Sequence, residues 1–209
     1  MRAFIIVDVQ NDFTPGGALA VREGDQIIPV INELQAKFEL IVATQDWHPA
    51  DHSSFAAQHA GCKIGDVIDL DGVPQIMWPT HCVENTFGAE FHKNLDRQRI
   101  SKVIPKGTDR AIDSYSGFFD NGHRKSTALD AYLKEKHVSR VFICGLATDY
   151  CVKFTAIDAF ELGYETSVVV DAVRGVELQE GDVARSLHDM QQLGIKLVDS
   201  RDIAEDSRA

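Results

Sequence analysis

Short apolar runs alternate along this chain with longer stretches in which apolar residues recur at helical spacing. Several of the short runs are continuous and rich in β-branched residues, which is typical of strands buried on both faces of a parallel sheet. The pattern predicts six strands, at residues 4–7, 40–43, 102–105, 141–144, 167–170 and 196–198. It predicts four helices, at residues 26–38, 127–136, 150–162 and 182–193. The alternation therefore predicts an α/β fold, a parallel sheet with helices on both faces.

One long segment, at about residues 44–101, interrupts this alternation. It contains few helix or strand signals, and prolines and glycines are spread through it. Long irregular segments in compact domains are usually functional, so we expect this one to carry part of a site. No repeat, low-complexity tract or linker divides the sequence, and its 209 residues suit a single domain over 1–209.

Charge, hydropathy and cysteine spacing indicate which partners and which cellular compartment to expect. The net charge of −11 argues against nucleic acid or an anionic membrane as the main partner, because phosphates bind basic faces. No run approaches the roughly 18 apolar residues of a membrane span. Asp8 interrupts the N-terminal apolar stretch and no cleavage site follows, so we interpret that stretch as a core strand rather than a signal peptide. The four cysteines lack CxxC spacing, which favours a reducing, cytoplasmic setting.

Polar residues with reactive side chains follow four of the predicted strands. Asp8 ends the first strand, and Asp46 and His48 follow the second. Lys106 ends the third, and the stretch GLATDYC, which contains Cys151, follows the fourth. In an open parallel sheet the carboxyl ends of the strands form the edge where ligands bind. We therefore expect an acid, an acid–imidazole cluster, a lysine and a thiol to lie together.

Cys151 is the candidate nucleophile of this set. A helix that starts near Thr148 or Asp149 would hold Cys151 in its first turn, where free N–H groups and the helix dipole lower a thiol pKa. The alternative is a small buried apolar residue, which is how we interpret Cys144 inside its strand. We interpret Asp149 as a helix cap with no catalytic role.

Asp8 lies at the end of an apolar strand and therefore requires a partner, because burying an unpaired charge is costly. Lys106 is the candidate partner. An acid held in this way can accept the proton of Cys151 and later return it to a leaving group. The alternative is a structural ion pair at the edge of the sheet.

The segment after the second predicted strand holds candidate metal ligands. In QDWHPADHSSF, Asp46 and His48 lie two positions apart, so that on an extended chain both point the same way. His52 follows, and His81 in WPTHC offers a third imidazole. Two or three imidazoles and one carboxylate suit zinc, iron or manganese, with water completing the shell. The alternative for His48 and His52 is a cap or a surface position.

Six longer motifs extend the match beyond single residues. They are FIIVDVQNDF, TQDWHPADHSSF, WPTHCVENTFGAEFH, PKGTD, DSYSGFFDN and GLATDYCVKFTAIDA, and DAVRGV closes the set near residue 175. Together they span most of the chain and closely resemble the nicotinamidases of the isochorismatase-like cysteine hydrolase superfamily. The resemblance implies a three-layer, Rossmann-like fold whose six-stranded parallel sheet has the order 3-2-1-4-5-6. That order places the first and fourth strands side by side at the topological switch point.

The resemblance also implies how the reaction is catalysed. It implies a catalytic triad of Asp8, Lys106 and Cys151. It implies an oxyanion hole formed by the backbone N–H groups of Ala147 and Cys151, beside a non-proline cis peptide between Leu146 and Ala147.

Binding roles follow from the same resemblance. It implies one divalent metal ion, most simply zinc, with iron or manganese as alternatives, held by Asp46, His48 and His81. His52 falls where relatives use either a fourth ligand or a residue that supports the others. Three aromatic residues in the matching motifs are candidates for binding the substrate ring, with core packing as the alternative: Phe13, Trp78 and Tyr115.

The implied reaction is hydrolysis of nicotinamide to nicotinate and ammonia through a cysteine thioester, with pyrazinamide as a second substrate and a place in NAD salvage. One alternative is a cysteine hydrolase of the same superfamily that acts on another small amide or carbamoyl compound. Another is an isochorismatase-type hydrolase, which needs no cysteine, and a third is a catalytically silent binding module. Cys151 favours an amidase among these. The sequence does not determine the metal or the oligomeric state.

Overall fold

A six-stranded parallel sheet forms the centre of the computed structural model, which describes residues 1–204; the last five residues of the predicted domain lie outside the described residues. With strands labelled in chain order, those of the sheet are β1 (Arg2–Val7), β2 (Leu40–Asp46), β5 (Lys102–Lys106), β6 (Arg140–Leu146), β7 (Glu165–Arg174) and β8 (Lys196–Val198). They lie in the order β5-β2-β1-β6-β7-β8, and each neighbouring pair is parallel. Counted within the sheet alone this order is 3-2-1-4-5-6, so the predicted topology is confirmed.

Helices cover both faces of the sheet. Within residues 1–204 they are α1 (Ile28–Gln35), α2 (Leu129–Glu135), α3 (Lys153–Glu161) and α4 (Asp182–Leu193). Ile31 of α1 belongs to the apolar core on one face, whereas Leu133 of α2, Ala156 of α3 and Met190 of α4 belong to the core on the other. Successive residues of β1 alternate between the two cores, as the pleat of a strand requires. Among the described residues, no helix has the length and apolar character needed to cross a bilayer.

The segment at about residues 44–101 contains a hairpin that the apolar pattern did not predict. Its strands, β3 (Val67–Leu70) and β4 (Val73–Ile76), are antiparallel and separate from the main sheet. Asp71 and Gly72 connect them with φ values of 53° and 81°, the left-handed conformation that tight hairpin turns use. The strands are short and largely exposed, and one contains Pro74, so they lack the apolar run that identifies a buried strand. The Asp-Gly pair was the signal available in the sequence.

β1 and β6 lie side by side, and the site lies beyond their carboxyl ends. Val7 of β1 is paired in register with Gly145 of β6. Gly145 has a φ of 112°, and a Cβ atom there would lie 2.0 Å from the carbonyl oxygen of Val7. Glycine therefore allows the two strands to approach closely just before Asp8 and Ala147. Because β2 flanks β1 on one side and β7 flanks β6 on the other, this position is the topological switch point of the sheet.

Candidate active site

Lys106 forms the centre of a buried cluster of polar side chains. Its Nζ atom lies 2.9 Å from Asp8 Oδ2 and 2.5 Å from Asp46 Oδ1. The same atom lies 3.3 Å from Cys151 Sγ and donates to the carbonyl oxygen of Ser114 at 2.8 Å. The side chains of Asp8 and Lys106 are fully inaccessible to solvent. The acid, the lysine and the thiol predicted from the strand ends are thus brought together around one ammonium group.

The ends of three strands position this cluster. Asp8 follows β1 directly, with a φ of 49°, while Asp46 and Lys106 end β2 and β5 and are paired in register. Thr44 of β2 donates a hydrogen bond from Oγ1 to Asp8 Oδ1 at 2.7 Å, and both residues are fully buried. Thr44 was not predicted, because a threonine inside a strand pattern does not indicate which side chain it meets across the sheet.

Burial and charge shift the two acids in opposite directions. Burial raises the pKa of Asp8 to about 6, although Lys106 opposes this shift. Burial acts on Asp46 as well, but the charges of Lys106 and His48 outweigh it and hold the pKa of Asp46 well below its usual range. Burial would lower the pKa of Lys106, yet the two carboxylates outweigh it and raise that pKa well above its ordinary value. Of these three groups, Asp8 is therefore the one whose pKa lies nearest neutrality.

Cys151 lies in a π-type turn, Thr148–Val152, that precedes α3. Burial raises the pKa of the Cys151 thiol well above its ordinary value, and Lys106 opposes this only in part. The prediction that a helix N-terminus lowers this pKa is therefore wrong, because regular α-helix begins only at Lys153 and desolvation of the thiolate dominates. The thiol consequently needs a base, and one carboxylate oxygen of Asp8 lies within 4.8 Å of Cys151 Sγ.

The peptide bond between Leu146 and Ala147, directly before this turn, is a non-proline cis peptide. The carbonyl oxygen of Ala147 accepts hydrogen bonds from the N–H groups of Tyr150 and Val152, at 3.1 and 3.0 Å. Ala147 and Cys151, the predicted oxyanion donors, line the same pocket. The turn and the residue before it thus place Cys151 and Ala147 in the wall of one pocket.

Asp46, His48 and His81 form a buried group whose ligand atoms all lie within 4.8 Å of one another. His48 donates from Nδ1 to the carbonyl oxygen of Gly107, and His81 donates from Nδ1 to that of Pro79, both at 2.8 Å. These bonds leave the Nε2 atoms for a ligand. Among residues 1–204, the buried Nε2 of His48 has no hydrogen-bond partner. Burial and the charge of His48 lower the pKa of His81 to about 4, which favours the neutral form that binds metal. Burial would lower the pKa of His48 as well, but the Asp46 carboxylate outweighs it and raises that pKa, so a metal ion must displace a proton there. The clustered carboxylate and imidazole atoms fit a divalent ion.

His52 lies beside these ligands but groups with a different carboxylate. Its ring centroid is 4.4 Å from that of His48, and its Nδ1 lies 2.8 Å from Ser54 Oγ. Ligand atoms of His48, His52 and Asp113 lie within 4.8 Å of one another, whereas the compact group around Asp46 does not include His52. Burial lowers the pKa of His52, which keeps this imidazole neutral as well.

Cys151 lines a pocket whose wall includes the aromatic side chains of Phe13, Trp78, Tyr115 and Tyr150. Trp78 donates from Nε1 to Tyr115 Oη at 3.0 Å, and Tyr150 packs edge-to-face on Trp78 with ring centroids 4.9 Å apart. Phe13 lines the same pocket, so all three predicted ring-binding residues face the cavity that contains Cys151. Four further lining residues were not predicted: Leu19, Asp113, Tyr150 and Val176. The signal available for Tyr150 and Val176 was their place in GLATDYC and DAVRGV, which follow β6 and β7.

Two residues of the QNDF segment form hydrogen bonds to the backbone of the segments that carry the candidate metal ligands. Gln10 donates from Nε2 to the carbonyl oxygen of Asp46 and accepts the Asp46 N–H on Oε1, both at 2.8 Å. Asp12 accepts the N–H of Cys82 on Oδ2 at 2.7 Å and so fixes the residue after His81. Neither was predicted, although a run of polar residues after a buried strand was the available signal.

The chain is similar to proteins of one family over nearly its whole length, and residues 2–202 match the model of the isochorismatase domain. A nicotinamidase of Escherichia coli (strain K12) is 48% identical over 200 residues, covering 94% of this chain and 93% of that protein. A solved Acinetobacter baumanii nicotinamidase/pyrazinamidase has a TM-score of 0.94 and 46% identity, covering 96% of this chain and 97% of that one. A pyrazinamidase of Pyrococcus horikoshii in complex with zinc has a TM-score of 0.77 and 42% identity, covering 95% and 98%. The chain therefore belongs to the isochorismatase family, among its nicotinamidases.

Proposed function

We propose that this chain is an amidohydrolase that converts nicotinamide to nicotinate and ammonia. One observation carries the proposal. The ammonium group of Lys106 contacts both Asp8 and Cys151, and Cys151 lines a pocket that also contains aromatic side chains. An acid whose pKa is close to neutral and a buried thiol are the groups that amide hydrolysis through a thioester requires. Similarity to nicotinamidases indicates the substrate class, a carboxamide on a nitrogen-containing aromatic ring. Pyrazinamide belongs to the same class and is the expected second substrate.

In the first step Cys151 is the nucleophile and Asp8 is its base. Asp8 accepts the thiol proton while the sulfur forms a bond to the carboxamide carbon. Negative charge thereby leaves Asp8 as it appears on the sulfur and then on the amide oxygen. Lys106 keeps its proton throughout, because its pKa is raised, and its Nζ lies 2.9 Å from Asp8 Oδ2 and 3.3 Å from Cys151 Sγ. The ammonium therefore compensates the charge wherever it resides.

The second step releases ammonia. The backbone N–H groups of Ala147 and Cys151 bind the oxyanion, and one such donor contributes about 3 kcal/mol in comparable sites. Asp8 returns its proton to the amide nitrogen, the carbon–nitrogen bond breaks, and ammonia leaves a thioester on Cys151. A water molecule then attacks the thioester while Asp8 accepts its proton. The carbon–sulfur bond breaks and the sulfur recovers that proton. The carboxylic acid that forms gives its remaining proton to solvent, where ammonia accepts it, and leaves as nicotinate.

We further propose that Asp46, His48 and His81 hold one divalent metal ion, with zinc as the first choice and His52 as a fourth ligand or a support. The clustered ligand atoms, the buried Nε2 of His48 and the zinc complex of the similar Pyrococcus horikoshii pyrazinamidase support this proposal. Such an ion, when bound, supplies a Lewis acid for the ring nitrogen, directly or through water. The protein groups around it orient the ring so that the carboxamide carbon meets Cys151.

Phe13, Trp78 and Tyr115 are the proposed contacts for the faces and edges of the ring, because all three line the pocket with Cys151. The hydrogen bond from Trp78 Nε1 to Tyr115 Oη holds two of these rings in place. We propose the cytoplasm as the compartment and NAD salvage as the role, because a reducing environment keeps the nucleophile as a thiol.

One assay tests the proposed function against its alternatives. Ammonia release is measured from nicotinamide, pyrazinamide and an N-carbamoyl compound, and isochorismate cleavage is followed in parallel. We expect rapid turnover of nicotinamide, turnover of pyrazinamide, and little reaction with the other two. Preference for the N-carbamoyl compound or for isochorismate would reject the proposed substrate, and inactivity on all four with metal present would reject the enzyme assignment.

A further inference from the structure

Asp149 joins the turn that carries Cys151 to a loop that follows β7. It is only 7% exposed. Its Oδ1 accepts the N–H of Val176 at 2.9 Å, and its Oδ2 accepts the N–H of Glu177 at 2.8 Å. The interpretation of Asp149 as a helix cap is therefore wrong, because both carboxylate oxygens bind a segment far along the chain. One buried side chain thus connects two separate parts of the site.

The loop bonded to Asp149 forms part of the pocket wall. Val176 lines the pocket together with Cys151. Before it, Gly175 packs so closely that a Cβ atom would lie 2.1 Å from Val183 Cγ2 and 3.0 Å from Asp149 Oδ1. After it, Glu177 accepts the N–H of Gly181 on Oε1 at 2.8 Å, just before α4 begins. Contacts on both sides of Val176 thus fix the loop. The Asp149 carboxylate sets the distance between this loop and the nucleophile turn, the turn at Thr148–Val152 that contains Cys151.

We propose that Asp149 is a positioning residue, which holds Val176 at a fixed distance from the Cys151 sulfur so that the bound ring presents its carboxamide carbon to the thiol. This inference rests on the proposed function. Within residues 1–204 the pocket lining does not include Asp149, so the residue acts through Val176 rather than on the substrate. A displacement of about 1 Å in such a support can cost roughly 10²-fold in rate. Loosening the wall therefore impairs catalysis while the thiol keeps its own chemistry.

Asp149→Asn is the direct test, because it keeps the shape of the side chain but turns an NH₂ group toward one of the two N–H donors. We expect kcat/KM for nicotinamide to fall roughly 10- to 100-fold. The rate at which iodoacetamide alkylates Cys151, followed on the Cys151 peptide by mass spectrometry, should stay within about twofold of the native rate, because thiol reactivity follows its own pKa and access. A residue that merely stabilised the nucleophile turn would lower both rates together.

Val176→Ala removes most of the side chain that lines the pocket and keeps the backbone N–H that donates to Asp149. A double variant combines Asp149→Asn with Val176→Ala. If Asp149 acts through Val176, its kcat/KM should be only slightly below that of the less active single variant, because the two changes remove the same contact with the ring. Gly175→Ala keeps the Asp149 carboxylate but places a Cβ atom against Val183 and against that carboxylate, so it should displace the loop and reproduce the loss in kcat/KM with normal alkylation. This variant keeps the proposal testable where Asp149→Asn fails to fold.

Asp182→Asn is the matched control. Its carboxylate accepts the N–H of Gln179 at 2.8 Å in the same connection between β7 and α4, away from the pocket lining, and its replacement should leave kcat/KM unchanged. Native kcat/KM in Asp149→Asn, additive losses in the double variant, or a parallel loss of alkylation would each overturn the proposal. A native enzyme that releases no ammonia from nicotinamide would instead overturn the proposed function.

Discussion

Thr44→Val tests whether Asp8 acts as the base in its ionised form. The Thr44 hydroxyl donates to Asp8 Oδ1 at 2.7 Å, in a position where neither residue reaches solvent. Valine has nearly the same shape and removes only the donor. The ionised carboxyl gains more from this donor than the protonated one, so its loss raises the pKa of Asp8 above its native value of about 6. The contact with Lys106 is retained.

The size of the shift follows from the hydrogen bond that is lost. A hydrogen bond to a charged group contributes about 1.5–3 kcal/mol. Since 1.36 kcal/mol corresponds to one pKa unit, the pKa of Asp8 should rise by about 1 to 2 units. In the native enzyme kcat/KM should rise with pH along an acidic limb whose midpoint lies near pH 6, because the deprotonated acid is the active form. In Thr44→Val the limb should move to about pH 7–8, with a loss of roughly 5- to 50-fold at pH 6.

The assay is kcat/KM for nicotinamide measured across the pH range on native enzyme, Thr44→Val and Thr44→Ser. Serine keeps the hydroxyl, so its limb should stay near that of the native enzyme. At high pH the valine variant should approach its plateau, because Asp8 is then ionised again. A uniform loss at every pH, with an unmoved limb, would show that Asp8 does not act as the titrating base.

Three further predictions concern single parts of the site. Cys151→Ala should abolish ammonia release while the protein still binds nicotinate in calorimetry; near-normal turnover would contradict the thioester mechanism. Removal of the metal with a chelator should mainly raise KM for nicotinamide, and re-addition of zinc should restore it; unchanged kinetics in metal-free protein would contradict a role in anchoring the ring. Tyr115→Phe should lower the free energy of unfolding by about 1–3 kcal/mol in urea, because the buried Nε1 of Trp78 loses its acceptor. Native stability in that variant would show that the pair contributes nothing measurable.

The sheet was predictable because its central strands are continuous apolar runs that are buried on both faces. α4 was predicted at its observed bounds because its apolar residues recur at helical spacing. The β3–β4 hairpin was not predicted, since its exposed residues carry no such pattern. The start of α3 was placed too early, because the π-type turn and α3 form one helix-like run in the sequence.

The central side chains were predictable because parallel strands deliver their following residues to one edge. Asp8, Lys106 and Cys151 needed only that rule to be placed together. The pKa of Cys151 could not be obtained in this way, since its direction depends on how completely the folded chain excludes water. Thr44 and Val176 were missed for a related reason. Their roles arise from contacts between distant segments, and the sequence does not show which side chains those contacts join.

The most direct test of the account is to trap the acyl group on the nucleophile. Enzyme turning over nicotinamide is quenched with acid and examined by peptide mass spectrometry, and a parallel reaction contains hydroxylamine. We expect a nicotinoyl group on the Cys151 peptide and formation of the hydroxamate, with neither in Cys151→Ala. Ammonia release without hydroxamate, or an acyl group on a residue other than Cys151, would contradict it.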